Sequence, residues 1–339
     1  MALLFMDGCE HYITADLAEK YTYVSSQAVS NTRARTGTYS ISGGVHGIAV
    51  AASGATAIVG YGVYATAGGH YCTVGLGGFA SATYAHVSMR VETDGSVTVR
   101  NGISSSATIL GQTSPAAFRF SMWNYVEIKI GLHDSTGTVT VKVNGTALLT
   151  LTGKDTIGTP ASATWSAVEW SNGATAWVDD IYLCDGSGGL NDDLLGEVRV
   201  VTLLPVTDAV AAGSNADFTC STSTDHGALV DDAAPNDDTD YVSSSTLNHV
   251  DSWEYPALGY TGTIKGVQMS LSARKTDSGT RAIAAVTRPV ATNRVHATNH
   301  YLGTSYAYWR AIWELNPEDS GAWEVADVDG AEFGVKVTV

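Results

Sequence analysis

Positive charge is scarce in this chain of 339 residues. Lys and Arg total 18 against 34 Asp and Glu, a formal net charge of −16. A nucleic-acid partner and an anionic membrane both need a basic patch, so neither is expected. Helical patterning is nearly absent. No run approaches the eighteen or so apolar residues of a membrane span. Residues 1–6 are apolar but too few, and without a basic start, for a signal peptide. The expected place of synthesis is therefore a cytoplasm. Cys9, Cys72, Cys184 and Cys220 are scattered and match no metal-ligand spacing, so they read as buried thiols. Also missing are a G-x-S-x-G elbow, a phosphate loop, a dinucleotide fingerprint and a repeat of 20–50 residues.

What is plentiful is Thr, Ser, Val, Gly and Tyr, in short alternating runs divided by turn residues. That composition builds strands, and 339 residues suffice for two cores. The clearest stretch is residues 118–185. Val126, Ile128, Ile130 and Leu132 alternate with Glu127, Lys129 and Gly131, a half-buried strand. Val139, Val141 and Val143 follow, then Asn144-Gly145 and a return strand to Leu151. A three-residue loop, 143–145 with Gly145 left-handed, is expected. It keeps Val139, Val141, Ala147, Leu149 and Leu151 on one face. Residues 93–96, T-D-G-S, make another hairpin turn, and residues 15–22 one helical turn.

Three motifs carry a family resemblance: W-N-Y-V-E-I-K (123–129), V-T-V-K-V-N-G (139–145) and V-D-D-I-Y (178–182). With D-G-C-E-H-Y (7–12) and Asp16-Leu17, the chain resembles the concanavalin A-like (laminin-G-like) jelly-roll domains of tailed-phage structural proteins. The resemblance covers residues 1–186. It implies that residues 2–6 pair with residues 177–183, because the two ends of such a domain lie side by side. Residues 187–196, Gly-rich then acidic, read as a linker. A strand over 197–205 is expected to open a second domain, 197–339. Residues 235–242, 263–274 and 313–337 resemble later parts of the same phage proteins. The expected class is all-β: a concanavalin A-like jelly-roll sandwich followed by a second β-sandwich.

Chemistry is sparse. A glycosidase on this fold needs two nearby carboxylates. Glu127 stands alone on its strand and Glu169 precedes Trp170, so both read as solvated, and no enzyme is expected. Asp179-Asp180 suits a cap or ion pair. Asp231, Asp232, Asp237 and Asp238 form an acidic loop, with calcium as a minor alternative and no other cofactor expected. His296 and His300 share a helical face only in a helix, which Thr298, Asn299 and Tyr301 argue against. Trp165, Trp170 and Trp177 read as one strand pair. Tyr301, Tyr306, Tyr308, Trp309 and Trp313 are candidates for core or for a subunit interface.

The function these features point to is a non-enzymatic structural protein on the outside of a tailed-phage virion, in the tail, collar or fibre or as a capsid decoration. Its expected partners are further copies of itself and other virion proteins. The alternative is a carbohydrate-binding module that recognises host surface glycan.

Overall fold

The computed structural model describes residues 2–103, 105–173, 175–208 and 215–339. The protein is all-β, and its chain divides into two compact units, residues 1–200 and 201–339.

Among the described residues the first unit holds two large sheets. One has eight strands in the order Thr146–Lys154, Gly137–Val143, Trp123–Gly131, Thr56–Ala65, Ala176–Cys184, Ser40–Ser42, Ala28–Ser30, with Leu3–Asp7 added to Ala176–Cys184. The other has seven, in the order Thr108–Gln112, Val97–Asn101, Ala85–Val91, Tyr71–Gly75, Trp165–Ser171, Val45–Ser53, Tyr23–Ser25. Alternation dictates what each buries. Val126, Ile128 and Ile130 of one sheet and Val168, Trp170, Cys72 and Val74 of the other are all buried. The sheets meet as a jelly-roll sandwich. The Trp170 ring lies edge-on to Tyr61, and Trp165 Nε1 donates to the Thr56 carbonyl at 2.6 Å. Trp165 and Trp170 thus belong to one sheet and Trp177 to the other, not to one strand pair.

Leu3–Asp7 pairs with the second half of its expected partner, Phe5 opposite Leu183 and Asp7 opposite Ile181. The hairpin at 144–145 is tighter than expected. Val143 faces Thr146, and Asn144 and Gly145 both take positive φ, 49° and 73°. These are the angles of a two-residue primed turn, whose twist suits the flanking strands. An extra residue enters afterwards, because Lys142 faces Ala147 while Val141 faces Leu149. That bulge, rather than a longer loop, sets Leu149 and Leu151 opposite Val141 and Val139. Ala147 goes to the other face.

Residues 197–205 form no strand. Residues 192–200 form a strap fixed to the eight-stranded sheet. Lys129 Nζ binds the Asp192 carbonyl at 3.3 Å and Asp193 Oδ1 at 3.0 Å. Leu195 N donates to Tyr182 Oη at 3.0 Å and Gly196 N to Glu127 Oε1 at 2.8 Å. Arg35 Nη1 donates to the Val198 carbonyl at 2.7 Å, and Val200 N to Asp180 Oδ1 at 2.8 Å. Gly60 makes room, because a Cβ there would strike the Tyr182 ring that supports the strap. Part of the expected linker is therefore docked, by polar pairing that strand periodicity does not reveal.

The second unit is a smaller sandwich. Among its described residues, Val250–Glu254, Glu332–Val337 and Ala282–Arg288 are the middle strands of a six-stranded sheet. Val267–Ala273 pairs separately with Ala307–Trp313. Trp253, Met269, Ile283, Trp313, Trp323 and Phe333 share its core. A short helix, Val325–Gly330, precedes the last strand.

Candidate functional site

The outward face of the seven-stranded sheet gathers polar residues from five parts of the sequence. Because Val168, Trp170, Cys72, Val74, Met89 and Val99 point inward, their neighbours point out. The register aligns Gly47, Glu169, Thr73, Ser88 and Arg100 in one row across the strands. The adjacent row is Val45, Ser171, Tyr71, Arg90 and Thr98. Glu92 follows Arg90 on the same face, just past the strand end.

Residues 76–84 fold back over this face. Gly47 has no side chain, and the Phe79 ring occupies that space and stacks on Tyr23, centroids 5.7 Å apart and nearly parallel. The Ala80 N–H donates to Glu169 Oε2. Between this loop and the sheet lies a shallow cleft of about 10 Å³, lined by Thr73, Phe79, Ser81, Tyr84, Ile103 and Glu169 among others. Glu169 is 4% exposed, not solvated as its sequence context suggested. Burial pushes its carboxyl above the usual range, and the Ala80 hydrogen bond opposes the shift. Burial likewise raises the Tyr71 phenol, against a hydrogen bond with Ser171.

Six buried side-chain atoms on this one face have no hydrogen-bond partner: Thr73 Oγ1, Thr98 Oγ1, Glu169 Oε1, Glu92 Oε1, Arg90 Nε and Arg100 Nε. Glu92 makes only long ion-pair contacts, 3.5 Å to Arg90 Nε and 3.6 Å to Arg100 Nη2. Sequence reasoning missed this site. No motif joins residues 73, 90, 98 and 169, and the one available signal was two glutamates on otherwise apolar strands.

The other acids have different roles. Glu127, 1% exposed, accepts from Tyr182 Oη at 2.7 Å and is covered by the strap. Asp179 accepts from the N–H groups of Arg35, Thr36 and Asp180, and Asp180 binds Arg35 Nη1 at 2.6 Å. Burial and the charge of Asp180 push Asp179 well up. This pair anchors residues 35–36.

Asp231, Asp232, Asp237 and Asp238 are all exposed and are not drawn together. Asp232 accepts from Asn236 Nδ2 at 2.6 Å. Asp238 is held by Arg274 Nη2 at 2.7 and 2.9 Å and by Tyr306 Oη at 2.9 Å. Among the described residues no group of three or more His, Cys, Asp or Glu is placed to hold a metal ion. Of the aromatic candidates, Trp313 is 8% exposed and belongs to the core, so it is not an interface residue. Tyr306 is tied to Asp238, and Tyr308 and Trp309 are half-buried, with the Trp309 ring tilted against His300. Tyr301 is 59% exposed. His296 bonds the Ile312 carbonyl through Nε2 at 3.2 Å, outside any helix.

No protein-family model matches the chain, and no curated protein matches it. Solved structures do. An endo-β-1,4-glucuronan lyase from the fungus Trichoderma reesei is 11% identical, with a TM-score of 0.37 over 53% of this chain and 94% of that one. The carbohydrate recognition domain of Emp46p is 8% identical, TM-score 0.33, over 53% and 98%. The alginate lyase Aly36B is 14% identical, TM-score 0.30, over 48% and 82%.

Two of these similar structures are lyases, and the expectation of a chain without enzymatic activity is withdrawn. The expectation rested on a missing carboxylate pair. That pair is a requirement of glycoside hydrolysis and bears on no other chemistry.

Proposed function

We propose that the first unit binds carbohydrate on the outward face of its seven-stranded sheet. The observation that carries this reading is the set of six buried polar atoms there without a hydrogen bond. Buried polar groups are nearly always hydrogen-bonded, so a cluster of exceptions marks a place completed by a ligand or by ordered water. Sugar hydroxyls both donate and accept, and so satisfy Thr73 and Glu169 alike. The stacked Tyr23–Phe79 pair and Tyr71 bring aromatic surface to the same face. The cleft has room for about one water-sized group, far below the roughly 300–1,000 Å³ of an enclosing pocket. The ligand therefore lies along the face and dips one group in.

Glu169→Gln and Thr73→Val test the reading. Each is expected to weaken oligosaccharide binding about tenfold, the loss of roughly one strong hydrogen bond, in calorimetric titrations of the full chain. Unchanged affinity in both variants, with the fold intact, would remove this face from the site.

The setting we propose is the outside of a tailed-phage particle, where copies of the chain sit beside other virion proteins. The sequence resemblance supports it, and many copies would strengthen a weak glycan contact. Mass spectrometry of purified particles is expected to find the chain; particles lacking it would end the proposal of this setting.

A further inference from the structure

Two guanidinium groups on this face share one carboxylate. Glu92 lies 3.5 Å from Arg90 Nε and 3.6 Å from Arg100 Nη2, and neither Nε has a hydrogen-bond partner. Arg100 is otherwise occupied, because its Nη1 clamps the carbonyls of Ser105 and Ala107 at 2.9 and 3.2 Å. Arg90 is the freer of the two, with 37% of its side chain exposed. One carboxylate against two guanidinium groups leaves a local excess of positive charge, in a chain whose net charge is −16.

The Arg90 Nε is buried without a hydrogen bond while the rest of its side chain reaches solvent, where an anion can pair with it. A neutral sugar does not supply that anion. A guanidinium presents pairs of parallel N–H groups that match a planar carboxylate. Arg90 also sits at a useful distance from the cleft. Its strand is two removed from that of Glu169 and its row is the next one, roughly 12 Å away by strand spacing and rise. Tyr71 lies between them in the register. A disaccharide spans that separation.

We propose that the ligand is an acidic saccharide, a chain containing uronic acid or a similar sugar acid, and that Arg90 binds its carboxylate. The inference rests on the carbohydrate reading above and narrows it. Glu169 and Thr73 then take hydroxyls of the neighbouring sugar, while Arg90 exchanges its long contact with Glu92 for a two-pronged one with the ligand.

The test titrates the full chain with a panel of polyuronate oligosaccharides of four to six residues, each beside its carboxyl-reduced form, and with neutral glucan and galactan oligosaccharides. At least one polyuronate is expected to bind, and its reduced form at least tenfold more weakly. Arg90→Gln is expected to lower polyuronate affinity by tenfold or more and to narrow the polyuronate's lead over its reduced form; Arg90→Lys, which keeps charge but loses the fork, falls between. Thermal melting checks that each variant is folded. Equal affinity for a polyuronate and its reduced form, unmoved by Arg90→Gln, would overturn the acidic-ligand inference and leave the carbohydrate reading intact. Binding of neutral oligosaccharides alone would do the same. No binding by any member of the panel would overturn both.

Discussion

Asp7→Asn is expected to remove about 3–5 kcal/mol from the stability of the first unit, the usual effect of deleting one member of a buried ion pair. Asp7 is 1% exposed, at the end of the strand that closes the eight-stranded sheet. Its carboxylate accepts from Lys20 Nζ at 3.0 Å, Tyr12 Oη at 2.7 Å, Tyr21 Oη at 2.5 Å and Cys9 N at 3.0 Å. Burial alone would raise this carboxyl. The charge of Lys20 and the two phenols outweigh burial and hold it down at about 2. The consequence for pH follows from the sign. A carboxylate with a depressed folded pKa contributes stability that is fully present above its unfolded value near 4 and is lost as pH falls through about 2. The wild-type protein should therefore lose about 2 kcal/mol between pH 4 and pH 2 through this group, and Asp7→Asn should lose that part of the dependence. Urea denaturation at several pH values reads both. A variant within 1 kcal/mol of wild type at pH 7 would show that the cluster does not hold the closing strand.

A chain ending at residue 186 should be less stable than one ending at residue 200 by about 3 kcal/mol, and should melt roughly 10 °C lower. The shorter chain loses the strap. With it go the N–H groups that reach Tyr182, Glu127 and Asp180 and the carbonyl that receives Arg35. Water replaces part of each bond, so the net effect is smaller than the sum of the four. Coincident melting curves for the two chains would mean that the strap contributes nothing and that the domain ends where its Gly-rich stretch begins.

These two cases show what the sequence displayed and what it hid. Alternation is a property of neighbouring residues. It marked the strands around Val126, Val139 and Val267, and the T-D-G-S turn. The pairing of the closing strand, expected over residues 177–183 and found over 181–184, came from the family resemblance. The bulge after Asn144-Gly145 was hidden, because a turn and a later bulge move the same leucines to the same face. Polar burial was hidden too. Glu127 and Glu169 read as solvated because strand residues on the face away from the core usually are. What buries them is distant in sequence: the strap over Glu127, and residues 76–84 over Glu169. The site became visible only once register placed Glu169 opposite Thr73 and Thr73 opposite Ser88. Cys9, Cys72 and Cys184 are buried, as expected of thiols without a metal role, while Cys220 is half-buried.

The most direct test of a glycan-binding face is a crystal structure of the chain grown with an oligosaccharide that titration shows to bind. The account predicts sugar density along the outward face of the seven-stranded sheet, with ligand oxygens within hydrogen-bonding distance of Thr73 Oγ1 and Glu169 Oε1. Sugar bound elsewhere on the molecule, with only ordered water over Thr73, Thr98 and Glu169, would contradict it.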